Sequence, residues 1–331
     1  MARYAGQKLK IPYLLKIFLQ DTDSNHGLTM KEIIGKLKIY GIDAERKALY
    51  DDIADLRDIF GLDIQIKRGK TTTYFLASNI LELSQLKMLV DCVQASKFIT
   101  EGDSNKIIKK LESLTSIYEA RELQRQVYIA KRPKSENDTL LDNVDTIHKA
   151  IMDNKQISFK YFNYKADKSR HIRNNGKDYL VSPYSLNISE DNYYLICHYD
   201  KHEGFTHFRV DRMIDVRLTD YKRLNISEVA GKQFDLGEYS KKVFSMYRGE
   251  KEYVSLLCRN SVANAVIDRF GKDVNMYPED ENNFKVNVNV EISPTFFAWL
   301  FTFGCDIKII SPQKAILEMK KRTKEVEKLY K

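Results

Sequence analysis

Asp43-Ala44-Glu45-Arg46-Lys47-Ala48-Leu49-Tyr50-Asp51-Asp52-Ile53-Ala54-Asp55-Leu56, with the alternating run from Leu62 to Leu76 behind it, decides how this chain folds at its N-terminal end. Asp43 is an N-cap residue type, because its carboxylate can accept from the free amides of a first helical turn. Ala48, Leu49, Ile53, Leu56 and Ile59 then recur at helical spacing and supply one apolar face. Arg46, Lys47 and Tyr50 are left for the other face, near the leading end. A helix with a buried back and cationic and hydroxyl groups at its front suits the base edges of a major groove. Beyond it Leu62, Ile64 and Ile66 alternate, Lys67-Arg68-Gly69-Lys70 turns, and Tyr74-Phe75-Leu76 returns, which predicts a tight two-stranded ribbon. Lys67, Arg68 and Lys70 stand where the tip of such a ribbon would meet phosphate. The plainer alternative for the ribbon alone is a solvated hairpin with a basic turn.

Working outward from that stretch, Ile11, Leu14, Leu15, Phe18 and Leu19 predict a first amphipathic helix. Thr29-Met30-Lys31-Glu32 is a capping-box sequence that opens a second, carrying Ile33, Ile34 and Leu37 and broken at Gly41. Three helices and a basic-tipped hairpin make a winged helix-turn-helix over residues 1–78. Its candidate DNA contacts are Thr29, Arg46, Lys47, Tyr50, Lys67, Arg68 and Lys70.

Residues 79–139 read as a helical linker. The stripes Leu83, Leu86, Leu89, Val90, Val93 and Ile107, Ile108, Leu111, Leu114 suit packing within the chain or across a dimer. Lys131 to Asp138, polar and containing Pro133, reads as a linker. From residue 140 a short helix (Leu140, Leu141, Val144, Ile147, Ala150, Ile151) precedes five strand-like runs, Gln156–Asn163, Asp178–Leu186, Asn192–Tyr199, Phe205–Val210 and Met213–Leu218. Five short strands with Gly- and Asn-bearing turns suggest a small β-barrel over 140–222. Residues 223–250 read as irregular and charged. The remainder of 223–331 alternates strand, helix, strand, helix, strand and long helix, an order resembling a ferredoxin-like split βαβ arrangement. The whole is an α+β chain.

With 331 residues, of which 43% are hydrophobic, the chain is long enough for several packed domains and wholesale disorder is excluded. A net charge of +8 fits a polyanionic partner without demanding one. The four cysteines, Cys92, Cys197, Cys258 and Cys305, are scattered with no CxxC pair. They suit free thiols in a reducing compartment, and no metal site is expected. No apolar run reaches the length of a bilayer span and the N-terminus lacks a signal-peptide core, which together suggest a cytoplasmic protein.

Pro183-Tyr184-Ser185-Leu186, Asn192-Tyr193-Tyr194-Leu195 and Phe208-Arg209-Val210-Asp211-Arg212-Met213, in that order, resemble the WYL-domain signature. Tyr193 stands where that family carries tryptophan. Arg46 to Ile53 resembles the DeoR-like helix-turn-helix often joined to it, with Asp51 where many such helices carry arginine. The C-terminal portion with Phe303-Gly304-Cys305-Asp306 resembles the WYL C-terminal extension (WCX) of these regulators. The resemblance implies a bacterial transcriptional regulator, commonly a homodimer, whose WYL domain is an Sm-like barrel sensing a ligand. Nucleotides or single-stranded nucleic acid are the usual effectors implied.

Within the barrel, Arg209 and Arg212 are three apart around a strand end, and Tyr184, Tyr194 and His207 lie on nearby strands. Guanidinium forks match phosphate oxygens and a tyrosine ring can stack on a base. Those five residues are the candidate effector site. The competing reading is structural, with Arg212 paired to Asp211 or Asp215 and the tyrosines in the core. No Walker loop, GxSxG elbow, HExxH or Cys-His arrangement occurs, so neither an enzyme nor a cofactor is expected. The leading functional expectation is sequence-specific binding to a duplex operator with an anionic effector on the barrel. The alternative is an accessory nucleic-acid-binding module of a phage-defence or DNA-damage system acting through protein contacts.

Overall fold

The computed structural model describes residues 3–124, 134–189, 191–231, 237, 239 and 250–331, without the side chains of 3–7 and 251. The chain divides into two compact units, Met1–Asp138 and Thr139–Lys331.

The first unit opens with α1 (Arg3–Asp21), the two-residue β1 (Leu28–Thr29), α2 (Met30–Ile39), α3 (Arg46–Asp58), β2 (Ile64–Lys67) and β3 (Thr73–Leu76). The strands form a three-stranded sheet in the order β1-β3-β2. Thr29 caps α2 through a complete capping box with Glu32. The helices close over Leu14, Ile17, Phe18, Ile33, Leu49 and Leu56, all at 0–1% exposure. The expected cap of α3 is corrected: the helix begins at Arg46 after an extended Glu45, and no side chain caps it. Asp43 lies two residues ahead of the cap position that Glu45 occupies. Ile59, expected on the buried face, falls just past the helix end and is 74% exposed. Asp52 is buried there instead, paired at 2.7 Å with the equally buried Lys10 of α1. A shielded ion pair of this kind adds orientation between two helices more than net stability.

Three further helices follow, α4 (Leu83–Ala95), α5 (Glu101–Glu112) and α6 (Ile117–Leu123), around Leu86, Val90, Ile108 and Leu123. The expected linker Lys131–Asp138 falls partly outside the described residues. Within it the Lys134 ammonium donates to the Val93 and Ser96 carbonyls and to Ser104 Oγ.

The first unit is laced together at Asp23, a buried carboxylate ahead of β1. Ser116 Oγ, at the start of α6, donates to it at 2.6 Å. The amides of Asn25 and His26 donate at 2.9 Å, and His26 Nδ1 lies 2.8 Å away. The His26 ring stacks on Tyr118 at 3.9 Å. Burial pushes the Asp23 carboxyl up, but the hydrogen bonds from Ser116, His26 and Asn25 outweigh it and hold it below its ordinary 3.8. A depressed native value stabilises the fold above the ordinary value, and that stability is lost as pH falls through the native one. Ser116→Ala is expected to remove roughly 2 kcal/mol near neutral pH. It should also move the acid-unfolding midpoint upward, as read by circular dichroism.

The second unit starts with α7 (Leu140–Met152) and the strands β4 (Lys155–Tyr164), β5 (Arg170–Ile172), β6 (Tyr179–Ser189), β7 (Asn192–His198), β8 (Phe205–Arg209) and β9 (Met213–Lys222). They form one antiparallel sheet in the order β5-β4-β6-β7-β8, with β9 pairing β4 from outside that path. Register shifts in the β4–β9 and β6–β7 pairings bend the long strands, and the sheet curls around a core. Pro183 sits at the β6 bulge, where its missing N–H costs the ladder least. The core is aromatic: Phe159 stacks on Tyr179 at 5.6 Å and meets Phe208 edge-on at 5.1 Å. β5 was not expected from the sequence. A short helix, α8 (Ile226–Ala230), occupies the start of the stretch read as irregular, most of which lies outside the described residues.

The unit ends with β10 (Glu250–Arg259), α9 (Ala263–Phe270), β11 (Asn275–Pro278), β12 (Asn283–Ile292), α10 (Pro294–Thr302), β13 (Ile307–Ser311) and α11 (Gln313–Leu329). The strands form an antiparallel sheet in the order β11-β12-β10-β13. Val254, Leu256, Val286 and Val288 pack on one side against Val266, Phe296, Phe297 and Leu300 of the helices. Alternate residues point to the opposite side. Among the described residues no helix is long and apolar enough to cross a membrane.

Candidate nucleic-acid interface and effector face

The front of α3 is organised by an i,i+4 contact. Arg46 Nε donates to the Tyr50 hydroxyl at 2.9 Å, and both side chains are exposed. Tyr50 in turn lies 6.4 Å, ring to ring, from Tyr74 of β3. Burial raises the Tyr74 phenol above its ordinary 10.0 and the Tyr50 phenol raises it further, while Arg46 and Arg68 pull it back. Two arginines, one from the helix front and one from the hairpin turn, therefore act on the same phenol. Lys47, Lys67 and Lys70 are exposed, with Lys67 paired in register to Thr73. The Thr29 hydroxyl is committed to the capping box, donating to Glu32 Oε2 at 2.7 Å. Asp51 is exposed on the same helix, a negative charge beside the basic front. Tyr50→Phe deletes the acceptor that orients Arg46; if this helix front meets a duplex, binding is expected to weaken by about 1 kcal/mol, roughly fivefold, in an anisotropy titration.

On the curled sheet, Tyr194 pairs with Arg209 and Ile196 with His207 across β7 and β8. Tyr194, His207 and Arg209 therefore share one face. Tyr193 points the other way, against the aromatic core. Arg209 is held: Nε and Nη2 donate to the two Asp211 carboxylate oxygens at 3.0 and 2.8 Å, and Nη2 also donates to Asn192 Oδ1 at 2.7 Å. Burial pulls the Arg209 guanidinium's value down, but Asp211 more than compensates and the net shift is upward. Arg212 ends the short turn Val210–Arg212 and is partly exposed. No hydrogen bond or ion pair engages its side chain among the described residues. Both arginines act on the Tyr161 hydroxyl, which accepts from the Arg209 amide at 3.3 Å.

Tyr184 and His207 are drawn away from an open surface. Tyr184 is the extra residue of the β6 bulge and is buried with Ile196, Phe205 and Tyr239. Its hydroxyl donates to the Leu224 carbonyl at 3.1 Å, the Arg223 guanidinium lies over its ring at 5.2 Å, and burial pushes it up to about 12. His207 Nε2 lies 3.1 Å from the Tyr239 hydroxyl. What remains partly exposed is Arg209, Arg212 and Tyr194. Sequence reasoning missed Asn192, Tyr161 and Arg223, which brace this face. Asn192 reaches Arg209 across a strand pair, a relation visible only once the register is known. The buried thiols Cys197 and Cys258 are pushed up by desolvation and stay protonated at neutral pH.

Residues 142–218 match the WYL domain family, and this part of the chain is a WYL domain. Among solved structures, the chain is similar to proteasome accessory factor B/C (PafBC) of Arthrobacter aurescens, at 17% identity and a TM-score of 0.28. That match covers 94% of this chain and 47% of the other, so the chain spans about half the length of that structure. No curated protein matches it.

Proposed function

We propose that this chain is a sequence-specific DNA-binding transcriptional regulator that works as a homodimer, with an anionic effector of nucleotide or single-stranded nucleic-acid type taken up on its WYL barrel. The observation that carries the reading is the Arg46–Tyr50 contact at the front of α3 with Arg68 of the β2–β3 turn beside it. The order of α1, β1, α2, α3, β2 and β3 is that of a winged helix-turn-helix, with α3 as the helix entering the major groove and Lys67, Arg68 and Lys70 on the phosphates. The curled sheet is read as an Sm-like barrel and the C-terminal sheet order as a ferredoxin-like WCX domain. Arg212, cationic and unpaired among the described residues, is the first choice for an effector phosphate.

In a dimer, two copies of α3 one helical turn apart favour an inverted repeat. Selection of bound duplexes from a random pool, with and without nucleotides or short single strands, tests the reading. An enriched inverted repeat supports it. A pool that stays random at moderate salt rejects it.

A further inference from the structure

Among the described residues no helix packs on the second side of the C-terminal sheet, and apart from the buried Glu291 at one end that side has its own composition. Strand pairing sets its side chains in rows. Lys308, Leu257, Lys285 and Tyr277 form one row across all four strands, and Ser255, Asn287 and Asn275 form the next. Tyr253 with Asn289 and Arg259 with Asn283 lie at the two ends. Tyr253 is 59% and Tyr277 53% exposed. Neither ring has a partner among the described residues, and neither does the Lys308 ammonium. Lys285 is paired with Glu279 at 2.6 Å and Arg259 with Asp306 at 3.2 Å.

Asparagine is disfavoured in strands, yet four share this one face of β11 and β12. The face is too polar to be the core of a stable protein interface, which is depleted in charge. Stacking rings, cations and carboxamides on one face of a four-stranded sheet are what splayed, unpaired bases need, whereas a duplex hides its base faces. We propose that this face is a platform for single-stranded nucleic acid. Tyr253 and Tyr277 stack on bases, Lys308 and Lys285 meet phosphates, and Asn275, Asn287 and Asn289 meet base edges. The two rings lie diagonally, about 17 Å apart by strand spacing, which spans about five stacked nucleotides at ~3.4 Å each. The platform is separate from the barrel face and does not rest on that reading.

The test titrates the full chain into labelled oligothymidylate and oligouridylate of about twelve residues, at low and moderate salt. Wild type is expected to bind at low salt. Tyr253→Ala with Tyr277→Ala should weaken binding at least tenfold, and Tyr253→Phe with Tyr277→Phe should restore it. Both pairs should leave duplex affinity unchanged. Preference between the two oligonucleotides assigns DNA or RNA. No binding of either oligonucleotide at low salt overturns the proposal, as does an alanine pair within twofold of wild type. An alanine pair that alters only the mass measured by light scattering assigns the face to a second copy and also overturns it. Loss of oligonucleotide binding in Arg209→Ala with Arg212→Ala but not in the tyrosine pair places the strand on the barrel, sinking this proposal and sparing the effector reading. Intact oligonucleotide binding with a random duplex selection sinks the regulator reading alone.

Discussion

Arg46→Ala is expected to flatten the preference for the selected operator over scrambled duplex by roughly 5- to 150-fold, the ~1–3 kcal/mol of a bidentate base contact. The protein should stay folded, because Arg46 is exposed and, among the described residues, its side chain hydrogen-bonds only to the equally exposed Tyr50. The hairpin should behave differently. Alanine at Lys67, Arg68 and Lys70 together would remove the proposed phosphate contacts, which carry no sequence information. Affinity should then fall for every duplex alike, and log K against log salt should become shallower by about 2.7. Anisotropy titrations at several salt concentrations with two duplexes separate these outcomes. A hairpin variant that lost selectivity but kept its salt slope would reverse the assigned roles. So would an Arg46→Ala protein that lost affinity uniformly.

Arg209→Ala with Arg212→Ala is expected to keep operator binding in the absence of effector and to lose the effector response more than tenfold. Hydrogen bonds to charged groups contribute about 1.5–3 kcal/mol each. The geometry makes the two arginines unequal. Removing Arg209 takes its hydrogen bonds away from Asp211 and Asn192, so part of its effect is structural. Arg212→Ala breaks no contact of that kind and is the cleaner variant. Alone it should account for most of the lost response, with a thermal midpoint near wild type. If Arg212→Ala responded fully while Arg209→Ala did not, the Arg209–Asp211 bridge would be a brace for the face and the effector would sit elsewhere.

Much of the N-terminal unit was legible because helical spacing and capping are local. The Thr29–Glu32 box needs only four consecutive residues, and the structure contains it. The start of α3 was misplaced because a good capping residue at Asp43 outranked the turn geometry that delays the helix to Arg46. Ile59 and Asp52 exchanged places for a related reason. Apolar periodicity cannot anticipate that Lys10, the eighth residue of α1, will bury a carboxylate. On the curled sheet, alternation along single strands grouped His207 with Arg209 correctly. It could not show that a bulge at Pro183 would turn Tyr184 inward, or that Arg209 would already be occupied.

Local chemistry, then, was enough to place the helices, most strands, the basic helix front and the WYL signature, since each depends on neighbours three or four residues away or alternating by two. Pairing across strands was not. Which arginine is held and which is left open, how Asp23 gathers Ser116 and His26, and how two tyrosines and four asparagines come to share one side of a sheet all depend on register between distant segments. Register is set by the packing of the whole core, which no single stretch of chain contains.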